Sequence, residues 1–438
     1  FIEDAVPGDV LDVKILRKKK GYYQGVPHHF VKYSPARQEP ACSHFIDCGG
    51  CKWQHFRYEN QLFEKEKIVR EAFARIGKVD VEQVDKILPA PAEYHYRNKM
   101  EFSFSNQRWK TKLEILNDKP ISEEVALGLH PPGFFNKVVD LQQCLLMSQP
   151  ADDIRNFIRD YALRKNLSFY DPVRHTGFLR NMILRNSTLG EWMLVMSFGY
   201  EDEVERKDLL NAVTEQFPSI TSLNYAINEK KNDTLFDQHI ICYKGAESIR
   251  EKLGDLVFRI RPKSFFQTNS LQAHRLYQVV RKFADLNQED IVYDLYTGTG
   301  SIALFVASDC KEIIGVEEIY DAISDAKENA KNNGIHNAHF YVGDVKNVFT
   351  EDLLNRHGRP DVVITDPPRG GMNEKVVVSI LNAKPRKVVY ISCNPATQAR
   401  DIAILAAQYR VLQIQPVDMF PHTSHIENVA LLMRRDEK

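Results

Sequence analysis

No stretch of this 438-residue chain approaches the roughly 18 consecutive apolar residues that carry a helix across a bilayer, so a membrane-spanning helix is not expected. Excess charge is missing too: 58 Lys and Arg stand against 59 Asp and Glu, a formal net charge of −1. That excludes a chain-wide basic surface of the histone kind and leaves room only for local basic patches. Cysteine is scarce and odd in number, with seven in all. Phe1-Ile-Glu-Asp-Ala-Val-Pro carries acids where a secretion signal carries a basic flank and an apolar stretch. A disulfide framework is therefore not expected, metal or catalytic roles for cysteine gain weight, and the expected setting is cytoplasmic. There is no initiator Met, so further residues are expected before Phe1. Repeats and low-complexity segments are also lacking. What remains is ordinary globular composition, 43% hydrophobic and 27% charged, in a chain long enough for roughly two to four domains without disulfide staples.

The texture changes twice along the chain. Val10-Leu-Asp-Val-Lys-Ile-Leu16 alternates like a strand and is followed by Arg17-Lys-Lys-Lys20, Gly21 and Tyr22-Tyr23. Basic residues beside aromatics suit a small RNA-binding barrel; a lysine-rich turn guarding a sheet edge fits them equally. Residues 38–260 read as an α+β domain with an antiparallel sheet, including strands at Met100–Phe104 and Trp192–Phe198. Within it, Asn60 to Gly77 has helical spacing, with Leu62, Ile68, Val69, Ala72, Phe73 and Ile76 as an apolar stripe. A helix over about 54–85 is expected to pack on the C-terminal domain, residues 261–438. Residues 261–438 alternate short, continuously apolar strands (Ile291–Leu295, Ile313–Val316, His339–Val342, Val362–Thr365, Val388–Ser392) with helical segments such as Ile319–Asn333. Strands apolar on both faces predict a doubly wound α/β domain with a parallel sheet, and Val411–Ile414 with Val429–Met433 predict an appended hairpin.

Three segments at strand ends carry chemistry. Asp294-Leu-Tyr-Thr-Gly298-Thr-Gly300-Ser-Ile-Ala303 lies between a strand and a helix, where glycines admit a ligand to the backbone. Glu317, ending the next strand, stands where an acid meets a ribose hydroxyl. Formally this is G-x-G-x-x-A, so an NAD-dependent oxidoreductase is one reading and a structural glycine turn another. Asp366-Pro-Pro-Arg-Gly-Gly371 projects a carboxylate into the same crevice on a stiffened loop. Cys393, in Ile391-Ser-Cys-Asn-Pro395, has polar neighbours and a following helix start, surroundings expected to favour the thiolate. Cys242 and Cys310 lack that setting and read as inert. In Met419-Phe-Pro-His-Thr-Ser-His-Ile-Glu427-Asn428, the spacing of His422, His425 and Glu427 matches no standard metal site.

Together, Ser264-Phe-Phe-Gln-Thr-Asn269, Asp294–Gly300, Asp366–Gly371, Ile391-Ser-Cys-Asn-Pro-Ala-Thr397 and Phe420-Pro-His-Thr-Ser-His-Ile-Glu427 resemble, in the same order, the RNA uracil-5-methyltransferase family. The resemblance implies a Rossmann-like methyltransferase domain that uses S-adenosylmethionine. It implies cofactor contacts from Gln267, Tyr296, Ser301, Glu317, Asp344 and Asp366, with Cys393 as nucleophile and Glu427 as the base that removes the C5 proton. The first residues, 1–37, resemble a TRAM domain, a small RNA-binding β-barrel, lacking its first strand. Cys42-Ser-His-Phe-Ile-Asp-Cys48-Gly-Gly-Cys51, with Cys144 farther on, has one close cysteine pair rather than the two usual for structural zinc, and so suits a [4Fe–4S] cluster better. The family's ribosomal RNA branch has a cluster at this pattern. The implied activity is 5-methyluridine formation in RNA by a monomer, with 23S ribosomal RNA as the expected substrate and transfer RNA the alternative. A non-catalytic RNA-binding protein, in which Cys393 and Glu427 are incidental, is the third reading.

Overall fold

The structure is a computed structural model that describes residues 2–79, 81–117 and 124–437. Among these residues the strands form four sheets. The first is an antiparallel ribbon of β1 (Val10–Lys19) and β2 (Tyr22–Lys32), twisted by three register shifts. At its turn, Lys18 and Lys19 lie 5.7 and 5.9 Å from the ring centres of Tyr23 and Tyr22. Arg37, 2.7 Å from Asp9, ties the ribbon's entry to its exit.

A helix, α1 (Tyr58–Ala72), follows and ends in a π-helical turn over Phe73–Gly77. Its inward face is Gln61, Lys65, Val69 and Phe73, at the four-residue spacing of one helix face. The expected apolar stripe is thus corrected: Ile68 and Ile76 are exposed, and two polar residues take the inner positions. The reason is tertiary, because polar partners from the far end of the chain await Gln61 and Lys65 there.

The central sheet contains β3 (Lys99–Ser105), β4 (Ala126–Leu129), β5 (Val139–Asp140), β6 (Leu179–Asn186), β7 (Trp192–Phe198), β8 (Ile220–Ile227) and β9 (Ile241–Gly245), in the order β5-β4-β3-β6-β7-β8-β9. Its pairs are antiparallel except β7–β8, which the helix Glu203–Gln216 joins as a parallel crossover. A hairpin, β10 (Ile249–Leu253) with β11 (Leu256–Ile260), leads into the second large sheet.

That sheet holds β12 (Ile291–Leu295), β13 (Glu312–Glu317), β14 (Ala338–Val342), β15 (Val362–Thr365), β16 (Lys387–Ser392), β17 (Tyr409–Val417) and β18 (Glu427–Arg434), ordered β14-β13-β12-β15-β16-β18-β17. The first five run parallel and the last two form the antiparallel hairpin. Helix Ser270–Ala284 lies in the core on one face, while α1 and helix Glu374–Ala383 lie in the core on the other. This is the doubly wound fold expected from the apolar strands. Its strand order reverses between β12 and β15, where such sheets open a crevice at the strands' carboxyl ends. No helix among the described residues is long and apolar enough to cross a membrane.

Candidate active site

One cavity of about 1400 Å3 lies over that crevice. Its lining includes all eight of the expected catalytic and cofactor residues: Gln267, Tyr296, Ser301, Glu317, Asp344, Asp366, Cys393 and Glu427. Topology explains the convergence. Tyr296, Asp366 and Cys393 each directly follow a parallel strand, and Glu317 ends one. Because β18 runs antiparallel to β16, it begins where β16 ends. Ser392 pairs with Asn428, and the residues next to them, Cys393 and Glu427, both line the cavity, near enough for the Glu427 charge to act on the Cys393 thiol.

The glycine loop is held by its own side chains. Thr297 donates its backbone N–H to Val316 O at 3.0 Å and its hydroxyl to Asp294 at 2.5 Å. Gly300 sits at φ +76°, and a Cβ there would meet Ala326 at 3.0 Å and Phe340 at 3.1 Å, so a side chain would be both strained and crowded. Glu317 accepts hydrogen bonds from the N–H groups of Gly298 and Ile319 at 3.1 and 3.0 Å. Gln267 is secured from the central sheet, since Asn98 donates to Gln267 O at 2.9 Å. Ser301 hydrogen-bonds Tyr277 at 2.8 Å. Asp344 is held below the usual carboxylate range by the Lys346 ammonium at 2.6 Å.

The cavity lining gathers three acids, Asp294, Asp366 and Glu427. Burial pushes Asp366 up to about 7 and, with opposition from the Thr297 hydrogen bond and support from the Asp366 charge, Asp294 up to about 7. Asp294 Oδ1 is buried without a hydrogen-bond partner. Burial and the Asp366 charge raise Glu427 well above the carboxylate range, while Arg369 pulls it down. Cys393 corrects an expectation: rather than favouring the thiolate, burial and then the charges of Glu427 and Asp366 push its thiol up to about 11, with Arg369 opposing. Arg369 is positioned through its carbonyl, which accepts from Asn394 Nδ2 at 3.1 Å and Thr397 Oγ1 at 3.2 Å.

The segment Asp418–Glu427 is clamped from α1. Lys65 and Asp418, both fully buried, pair at 2.6 Å, and Lys65 also donates to Phe420 O at 3.0 Å. Gln61 Oε1 accepts the His422 N–H at 2.9 Å, which turns the Gln61 amide nitrogen toward His422 Nδ1 at 3.1 Å. Nδ1 is therefore an acceptor and Nε2 carries the proton. Burial holds His422 down to about 4, so it is neutral, and it does not line the cavity; His425 does. Lys52 and Trp53 donate their N–H groups to His422 O at 2.8 and 3.0 Å.

Those two residues directly follow Cys51. Cys42, Cys48, Cys51 and Cys144 come together around one small cavity, with Phe45, Leu129, Leu141 and Leu146 as apolar neighbours. Burial pushes Cys48 and Cys51 up to about 12, helped by the neighbouring cysteine charges. Among the described residues no three His, Cys, Asp or Glu side chains gather tightly enough for a single metal ion. Cys310 is buried in the core, as an inert thiol should be, whereas Cys242 lines the large cavity.

The sequence reading gave no role to Asp294, Arg369, Gln61, Lys65 or Asp418. An acid directly preceding a glycine loop at a strand end was a usable signal for Asp294. Nothing local marked Lys65.

Residues 228–435 match the family described as tRNA (Uracil-5-)-methyltransferase. An uncharacterized RNA methyltransferase from Porphyromonas gingivalis is 49% identical, over 100% of this chain and 96% of its own length. One from Bacteroides thetaiotaomicron is 47% identical over 99% of this chain and 96% of its own. The structure of Pyrococcus abyssi tRNA (uracil-54, C5)-methyltransferase in complex with S-adenosyl-L-homocysteine superposes with a TM-score of 0.75 and 27% identity, covering 99% of this chain and 95% of that one. Fold and site define an RNA methyltransferase. The chain belongs to the RNA uracil-5-methyltransferase family.

Proposed function

We propose that this chain transfers a methyl group from S-adenosylmethionine to C5 of a uridine in RNA through a covalent adduct on Cys393. The observation that carries this reading is Cys393 and Glu427 at neighbouring strand ends, electrostatically coupled within the cavity that the expected cofactor residues line. The residues fit the cofactor by charge. S-adenosylmethionine presents a sulfonium and an ammonium, and Asp294, Asp366 and Glu427 are buried acids whose ionised forms a cation would stabilise. Gln267, Tyr296, Ser301, Glu317, Asp344 and Asp366 would hold it, with Glu317 toward the ribose. When bound, it supplies an electrophilic methyl group.

C5 of uracil is too weak a nucleophile to take that group unaided. The Cys393 thiolate adds to C6, the C5–C6 double bond opens, and the resulting enolate attacks the methyl through C5. Glu427 then takes the C5 proton, the double bond re-forms, and the thiolate leaves. Arg369 favours the charged forms of both Cys393 and Glu427. To reach this depth the uridine leaves its stack. The test is covalent trapping by RNA carrying 5-fluorouridine, whose fluorine cannot leave as a proton does. Wild type should form the adduct and Cys393→Ala should not; an adduct with Cys393→Ala assigns the nucleophile elsewhere.

Cys42, Cys48, Cys51 and Cys144 are proposed to hold a [4Fe–4S] cluster, a reading supported by their shared cavity. Its role is structural, because methyl transfer to C5 moves no net electron. Residues 1–37 are proposed as part of an RNA-binding barrel, 38–260 as the cluster-bearing domain and 261–438 as the catalytic domain of a cytoplasmic monomer. The proposed substrate is 23S ribosomal RNA, on the strength of the four cysteines. A transfer RNA substrate is favoured by the Pyrococcus neighbour, which spans 99% of this chain, so domain content does not separate the two. Mapping 5-methyluridine in a deletion strain decides it: loss from 23S RNA alone supports the proposal, and loss from transfer RNA overturns it.

A further inference from the structure

The active-site cavity exceeds the roughly 300–1,000 Å3 of ordinary small-molecule sites, and part of its lining has been given no role above. That part includes the loop between β8 and β9, which brings Phe236, Asp237, His239 and Ile240 to the cavity. The loop is irregular but firmly held. Arg180 of β6, 1% exposed on its side chain, donates to Asn228 O at 2.5 Å, Asn232 O at 2.9 Å and Asp233 Oδ1 at 2.7 Å, and also to Lys230 O. Its guanidinium lies 4.1 Å from the ring centre of Tyr170. Asn228, fully buried, donates to Asn232 O at 3.0 Å, and Lys230 pairs with Asp237 across the loop. Leu235 and Ile240 pack on the core, yet Phe236 between them is 71% exposed.

Isolated exposed aromatics are common on protein surfaces. This one is different in being carried on a loop tied down by Arg180 just before it, between two partly buried apolar residues, at the wall of a catalytic cavity. A flat apolar ring held there at little entropic cost suits the face of a nucleobase, and stacking is indifferent to which base it is. We propose that Phe236 is a stacking platform for a nucleobase of the RNA adjoining the target uridine, and that Arg180 is the positioning residue that keeps the platform in place. The proposal rests on the reading of the site as one that admits RNA.

A labelled oligouridylate titrated against the full chain tests it. Phe236→Ala should weaken binding about 5- to 100-fold, the range of one lost stack. Phe236→Tyr should restore affinity, and Phe236→Trp should restore it with quenching of the new indole on binding. Arg180→Lys, which keeps the charge but loses the fork of donors, should weaken binding and abolish that quenching in the double variant with Phe236→Trp. S-adenosylhomocysteine affinity should stay at the wild-type value in Phe236→Ala, which reports an intact fold. Wild-type affinity in Phe236→Ala, or an unquenched tryptophan in the bound Phe236→Trp protein, overturns the platform. Failure of the wild type to trap 5-fluorouridine RNA overturns the methylation reading instead, so the two failures are distinct.

Discussion

At the scale of single residues, the cavity is a place where charge is expensive until a cation arrives. Cys393, raised to about 11, is a thiolate in only about one molecule in 10,000 at pH 7 in the ligand-free protein. Alkylation of Cys393 by iodoacetamide, followed by peptide mass spectrometry, should accelerate about tenfold per pH unit between pH 7 and 10. Asp366→Asn removes one of the repelling charges and should quicken the reaction at pH 7. A rate independent of pH in this window contradicts the burial argument. Asp366 itself gives a stability prediction with a definite sign. Its ordinary value is 3.8 and its folded value about 7, so between those limits the folded protein keeps a proton that the unfolded chain has released. Stability therefore falls as pH rises from 4 to 7, by on the order of a few kcal/mol. Asp366→Asn should melt higher than wild type at pH 8, with the difference fading near pH 4, in thermal scans without ligand. For Glu427, Gln keeps the shape but not the basicity. Glu427→Gln should permit methyl transfer and then stall, leaving methylated RNA covalently attached in denaturing electrophoresis. Near-normal turnover would remove Glu427 from the mechanism and shift attention to His425 or water, since His422 does not line the cavity.

At the scale of elements, the strands were easier to read than the helix that braces the site. Val362–Thr365 and Ile291–Leu295 are apolar on both faces because both faces are covered, and that pattern is written in the residues themselves. The strand-end positions of Cys393, Asp366 and Glu317 followed directly. Helix α1 was misread in orientation because Gln61 and Lys65 look like surface residues to any local rule. Their partners are more than 350 residues away, and a buried lysine has no local signature. The thiolate expectation for Cys393 failed for a related reason: a helix start is visible in sequence, but the burial that outweighs it, and the two acids that add to it, come from other segments. The clamp makes a sharp prediction. Lys65→Met strands Asp418 as an unpaired buried charge and should cost about 3–5 kcal/mol in denaturant unfolding. Lys65→Met combined with Asp418→Leu should recover most of it. A single variant as stable as wild type would show that the pair is not what holds this segment.

At the scale of the whole molecule, the cysteine cavity and the catalytic cavity share Gly50 as a wall residue, and the chain leaving Cys51 is hydrogen-bonded to His422 five residues before Glu427. Protein purified without oxygen should carry about four irons per chain. Cys48→Ser should lose iron and also destabilise the segment that bears Glu427, read as faster hydrogen exchange over residues 418–427. Stoichiometric zinc in place of iron would overturn the cluster, while leaving the methylation chemistry untouched.

The distance along the chain between Lys65 and Asp418 has a consequence for biosynthesis. During translation, Asp418 emerges 353 residues after the lysine it must meet. Through that interval Val69 and Phe73 of α1 have core to pack on, but Gln61 and Lys65 lack the 418–422 segment that meets them, and Cys393 has no Glu427 beside it. A nascent chain stalled before residue 418 therefore displays the cysteine loop and the helix but lacks Glu427, the proposed base. Because one segment carries both Asp418, which closes the buried pair with Lys65, and Glu427, that carboxylate reaches the cavity only as the fold is completed.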